Sequence, residues 1–182
     1  MSLRLRALEL HTPGWLSRYA LSRLAEATTT AFDSAPVEMR GWDHGELLSR
    51  YASFTAGWVE QAAVDDTDLD AVSRRAWANA RVLGESFRRL LGVRTRSDAL
   101  RATRIAYRMI GIELRSDMSG AVSVDRCAFA ARYSPQVCRV MSSFDGGLVA
   151  GLTQGGSLSF AERITEGRPR CLGRIAWERA TP

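Results

Sequence analysis

Three cysteines, Cys127, Cys138 and Cys171, have the widest chemical reach of any residues in this chain. A thiol fills a core, ligates a soft metal or attacks as a thiolate. As core filler, a free cysteine behaves as a small hydrophobe. As ligands, three thiolates with one further donor suit zinc or an iron–sulfur cluster. No C-x-x-C pair is present, however, and His11 and His44 lie far away along the chain. As a nucleophile, Cys138 is the best placed. It falls in the first turns of a helix expected to start at Ser134-Pro135, where the backbone dipole favours a thiolate. Spacing by itself leaves these three readings open.

The neighbours of Cys138 extend the pattern. Cys138, Ser142 and Asp145 are separated by four and three residues, so they share one helical face. Val137, Met141, Phe144 and Leu148 form the apolar face beside it. Such a helix lines a polar pocket or borders a core. With no histidine close by, Asp145 or Glu162 is the candidate base. Arg126, Arg163 and Arg170 are candidates for holding a substrate carboxylate, because a guanidinium binds it through two parallel hydrogen bonds. Ser142 and Glu162 complete the candidate binding set. Gly146, Gly147 and Gly151 also fall inside the helix. Each costs about 1 kcal/mol relative to alanine, which points to close approach by a strand, a partner or a ligand.

The elements that must position these residues follow from periodicity and caps. Apolar steps of three and four predict a helix from Trp15 to Phe32, ended by Ser34-Ala35-Pro36. Asp43 with Glu46 predicts a capping box opening a second helix through Ala62. Thr67 or Asp68 caps a third, striped by Leu69, Val72, Ala76, Ala80, Leu83, Phe87 and Leu90 and stopped by Gly92. A short fourth helix runs from Ser97 towards Thr103. Arg104 to Arg115 alternates as a strand with a β-bulge near Gly111. Ser116 to Gly120 is a hairpin loop, and Ala121 to Arg126 is the returning strand. The Pro135 helix extends to about Leu152, followed by strands Leu158–Ile164 and Cys171–Glu178 around a turn at Glu166-Gly167. The expected fold is α+β: N-terminal helices packed on an antiparallel sheet built from two β-hairpins with an intervening helix. Residues 1–182 are expected to form one domain, mainly helical over 1–100, with the cysteines in 101–182.

Composition narrows the function classes. The chain has 182 residues, 46% hydrophobic and 25% charged, which describes a globular domain able to bury a core without disulfides. No apolar run approaches the roughly 20 residues of a membrane-spanning helix, and the N-terminus does not read as a secretory signal. The expected location is the cytoplasm, with no membrane partner. The net charge is +5 and every basic residue is arginine, but the arginines are scattered among acids. No nucleic-acid motif is present, so nucleic acid is not an expected partner. Trp15, Trp42, Trp58, Trp77 and Trp177 are expected core or interface anchors, and exposed Trp58 and Trp77 would mark a homodimer surface on the helical half.

The C-terminal segment resembles a known family. The run Val124-Asp125-Arg126-Cys127-Ala128-Phe129-Ala130 comes first, then Ser134-Pro135-Gln136-Val137-Cys138 and the helix through Asp145. Glu162 to Gly167 and the spacing Gly167-x-x-x-Cys171 complete the pattern. This set resembles the L-2-amino-thiazoline-4-carboxylic acid hydrolase-like family. Its cysteine-and-glycine rhythm is also similar to the 4-vinyl reductase domain, a small-ligand-binding α+β module. The resemblance covers roughly residues 100–178. It departs from the family pattern at Ala128, where proline is common, at Ser142, where a further cysteine is expected, and at Gly173, where an aromatic is usual. It carries over Cys127, Cys138, Asp145 and Cys171. The first family implies a small-molecule hydrolase that opens a thiazoline-type ring. In that reading Cys138, or a metal (zinc or an iron–sulfur cluster) held by Cys127, Cys138 and Cys171, would activate the nucleophile, and Asp145 would act as base or orienter. The second implies a non-catalytic ligand-binding or sensor domain, with its pocket between the helical half and the sheet.

Overall fold

The structure is a computed structural model and describes residues 3–39 and 43–177. Helix α1 (Leu3–Leu10) leads into α2 (Gly14–Phe32), α3 (His44–Val64), α4 (Leu69–Leu91) and α5 (Arg96–Met109). Strands β1 (Ile112–Ser116) and β2 (Ala121–Cys127) follow, then α6 (Pro135–Thr153). Strand β3 (Ser157–Glu162), a 3-10 turn (Ile164–Glu166) and β4 (Cys171–Ala176) complete the order. The fold is the expected α+β one. The two hairpins join edge to edge into one antiparallel sheet of order β1-β2-β4-β3.

Local chemistry explains most boundaries. Asp43 accepts the Glu46 N–H at 2.9 Å, and Glu46 accepts the Asp43 N–H at 3.3 Å, closing the capping box of α3. Asp43→Ala is expected to lower the unfolding free energy in urea by about 1 kcal/mol, the usual loss for a helix N-cap. Asp68 accepts the Ala71 N–H at 2.9 Å at the start of α4. Gly92 ends that helix in the left-handed conformation, φ 67°. Ser134 accepts the Val137 N–H at 3.3 Å, and Pro135 occupies the first turn of α6, where its missing N–H has no intrahelical partner to lose.

Two regions differ from expectation. Residues 104–109 are not strand; they continue α5 to Met109. Ile105, Ala106, Tyr107 and Met109 are all buried, because this helix is packed by α1, α2, α6 and β1. Burial on several sides blurs the helical stripe into an apparent alternation. Gly111, at φ 74°, turns the chain from α5 into β1, and the bulge falls between Glu113 and Leu114. Helix α1 has almost no amphipathic stripe to announce it. It is tied down by Glu9, which pairs with Arg101 and Arg104 at 2.7 Å each. Arg108 adds hydrogen bonds to the carbonyls of Leu8 and Glu9.

One hydrophobic core runs through all the helices and one face of the sheet. Ile112, Leu114, Val122, Val124 and Ile175 are the sheet's contribution. Phe32 stacks on Trp58 with ring centroids 4.0 Å apart, so Trp58 is committed to this core rather than to an exposed interface. Trp77 is 38% exposed. Trp42 and Glu178 lie outside the described residues.

Candidate functional site

A cavity of about 90 Å³ lies where α2–α6 meet β1 and β2. Leu24, Leu83, Phe87, Ile110, Met141 and Phe144 supply its apolar walls. Cys127, Cys138, Asp145, Tyr51 and Tyr133 supply its few polar atoms. The pocket therefore falls between the helical half and the sheet. Asp145 reaches it from the same turns of α6 that carry the apolar Met141, Phe144 and Leu148.

The polar groups are nearly all paired with each other. Tyr107 donates to Asp145 Oδ1 at 2.8 Å. The Tyr51 hydroxyl is 2.8 Å from Thr28 Oγ1, and the Tyr133 hydroxyl is 2.6 Å from Thr55 Oγ1. Phe129 stacks on Tyr133 at 5.3 Å and meets Tyr51 edge-on at 5.9 Å. A buried tyrosine needs a partner for its hydroxyl, and three of the chain's four tyrosines find one here. That requirement was the signal available in the sequence for Tyr51 and Tyr107, two tyrosines set among apolar positions.

Burial sets the protonation of this site. Asp145 is deep in the protein, and its remaining surface opens onto the cavity. Desolvation pushes its carboxyl up to about 6, against the opposing effects of the Tyr107 hydrogen bond and the Arg163 charge. Burial pushes the Cys127 thiol up to about 12. Cys138 is also raised, again by burial first, although Thr165 and Arg163 oppose the shift. Its amide does bond to Ser134 O at 3.0 Å in the first turn of α6, as expected. Desolvation outweighs the helix dipole there, and the thiol stays protonated at neutral pH. Cys171 is raised by burial as well, while its Sγ accepts the Ile164 N–H at 3.4 Å. A protonated thiol is a weak nucleophile.

The predicted residues divide into three groups. Cys127, Cys138 and Asp145 meet at the cavity, whereas Cys171 stands outside its lining, at the start of β4. Among the described residues no group of three His, Cys, Asp or Glu side chains is placed to hold a metal ion. The three cysteines therefore do not fit zinc or an iron–sulfur cluster. Ser142 and Arg163 line a separate groove on the other flank of α6. Arg126 and Glu162 line neither space. The Arg126 side chain is 81% exposed and lies 3.6 Å from Glu113 on the neighbouring strand, and Arg170 sits 3.9 Å from Asp125. Exposed pairs of this kind contribute little.

No family model and no curated sequence matches the chain at a significant level. A solved structure does share the fold: trafficking protein particle complex subunit 3 from Naegleria fowleri, covalently bound to palmitic acid. It aligns at a TM-score of 0.53 and 14% identity, over 74% of this chain and 95% of that one. At that identity the likeness is one of fold. No helix among the described residues is long and apolar enough to cross a membrane.

Proposed function

We propose that this protein is a non-catalytic small-ligand-binding module whose central cavity takes a slim apolar group. The observation that carries this reading is the cavity itself: apolar walls, neutral thiols, and tyrosine hydroxyls already paired with threonines or Asp145. Such a surface rewards apolar contact and offers Asp145 as its one strongly polar anchor. The volume limits the occupant. A cavity of about 150 Å³ holds benzene, and this one is about 90 Å³. That volume favours a slim aliphatic group over a fused ring system. The palmitic acid carried by the structural neighbour supports an acyl chain as the class of ligand.

The test is uptake of a series of fatty acids of increasing length, followed by displacement of an apolar fluorescent probe and by melting temperature. Saturable one-to-one uptake with a raised Tm is the expected result. Ala106 is buried and lines the cavity. Ala106→Leu fills much of the space and is expected to weaken uptake at least tenfold while the protein still melts cooperatively. No saturable uptake by wild type would count against the proposal. So would turnover of a thiazoline carboxylate that is lost in Cys138→Ser, which would restore the hydrolase reading.

A further inference from the structure

The outer flank of α6 carries a second set of residues that the cavity does not use. Arg139, Ser142, Ser143 and Gly146 recur at steps of three and one, so they form one stripe turned away from Met141, Phe144 and Leu148. Strand β3 runs alongside and adds Ser157 and Ser159, and Arg163 closes one end. Between them lies a groove of about 310 Å³, walled on the far side by Trp77 of α4. Gly146 keeps it open: a Cβ there would sit 3.3 Å from Trp77 Cδ1.

The groove holds two guanidiniums. Arg139 donates to Glu166 Oε1 through Nε at 3.1 Å and Nη2 at 2.9 Å. Arg163 Nη1 lies 3.9 Å from the same oxygen. Two guanidiniums thus share the Glu166 carboxylate, and the charge of Arg163 also acts on Asp145 across α6. The Arg163 side chain is only 17% exposed and rests over the Phe160 ring at 5.9 Å. Its Nε is buried with no hydrogen-bond partner. A half-buried cation with an unused donor is costly unless something accepts from it. The hydroxyls of Ser143, Ser157 and Ser159 make no side-chain hydrogen bond among the described residues and border the same space. The Arg139 side chain is 64% exposed, so it can turn donors toward an incoming group.

We infer that this groove is a second ligand site, for a small molecule bearing a carboxylate or phosphate group held between Arg139 and Arg163. The serine hydroxyls donate to its remaining oxygens, and the Trp77 face supplies an apolar wall for the rest of the molecule. Planar guanidiniums suit both anions, because each offers two parallel donors to two oxygens. The site lies on the other side of α6 from the cavity, and none of its lining residues lines that cavity.

The experiment is calorimetric titration of the full chain with inorganic phosphate and, separately, acetate, at fixed ionic strength with chloride as the reference. Saturable binding of at least one anion is expected. Binding of phosphate alone assigns a phosphate ester, and binding of acetate alone assigns a carboxylate. Arg139→Gln removes a charged donor. Ser143→Asp places a competing carboxylate in the groove. Each is expected to weaken the anion about tenfold or more, while probe uptake by the cavity is unchanged. Absence of saturable binding above chloride would overturn the inference. Binding that both variants leave unchanged would overturn it equally.

Discussion

Replacing Gly147 with alanine is expected to remove about 3 kcal/mol or more of stability, the upper end of the overpacking range. Helices α4 and α6 touch backbone to backbone. A Cβ on Gly147 would sit 2.1 Å from the Trp77 carbonyl oxygen. One on Gly151 would sit 2.2 Å from Arg81 O, and one on Gly84 would sit 2.3 Å from Leu148 O. The obstructing atoms are main chain, so no rotamer change relieves the clash. The helices must part, and their separation opens voids along the whole contact. Gly151→Ala is expected to behave alike. Gly57 supplies the control. It is exposed in mid-α3 with nothing within 4 Å of its would-be Cβ. Alanine there is expected to stabilise by up to about 1 kcal/mol. Urea denaturation of the variants separates the cases. A loss below about 1 kcal/mol at Gly147 would contradict the close contact.

The second large effect is a pH dependence that belongs to Asp145. Its carboxyl rises from an ordinary 3.8 in the unfolded chain to about 6 in the folded one, through burial. The folded state therefore binds the proton more tightly. Its contribution is greatest below the unfolded value and is lost as pH rises through the folded value. The shift corresponds to about 3 kcal/mol at 1.36 kcal/mol per pH unit. Wild-type stability relative to Asp145→Asn is thus expected to fall by about that amount between roughly pH 4 and pH 6, and to level off above. The Tyr107 hydrogen bond lowers the Asp145 pKa. Tyr107→Phe is accordingly expected to move the end of the fall to higher pH. Denaturant melts across this range, for wild type and both variants, measure it. A flat difference between wild type and Asp145→Asn would show that the carboxyl is not desolvated. A neutral Asp145 also makes the cavity more apolar, so ligand uptake is expected to strengthen as pH falls through 6.

These effects show which parts of the molecule could be read in advance. The caps at Asp43, Asp68 and Ser134 and the stop at Gly92 are matters of a few neighbouring atoms, and each stands where its residue type required. The loop from Asp117 to Gly120 closes the first hairpin for the same reason. Helix α5 was harder to read, because its central place buries Ile105, Ala106 and Tyr107 on adjoining faces. The cysteines were legible as candidates. Their environment was not, since spacing along a chain carries no information about desolvation.

The sequence by itself determined the order of the elements after α1, the α+β class, and the helix α6 that carries both Cys138 and Asp145. Caps, breakers and apolar periods act over a handful of residues, and the chain carries them in full. Only the tertiary structure decided that Cys127 joins Cys138 in an apolar cavity while Cys171 stays outside it. It also brought Tyr107 to Asp145 across 38 residues, and Arg163 to Arg139 around Glu166. The glycines of α6 were a visible expense in the sequence, and the close approach expected of them is the backbone of α4. These outcomes rest on contacts between segments distant in the chain. Burial, which sets the protonation of the thiols and of Asp145, exists only once those segments meet.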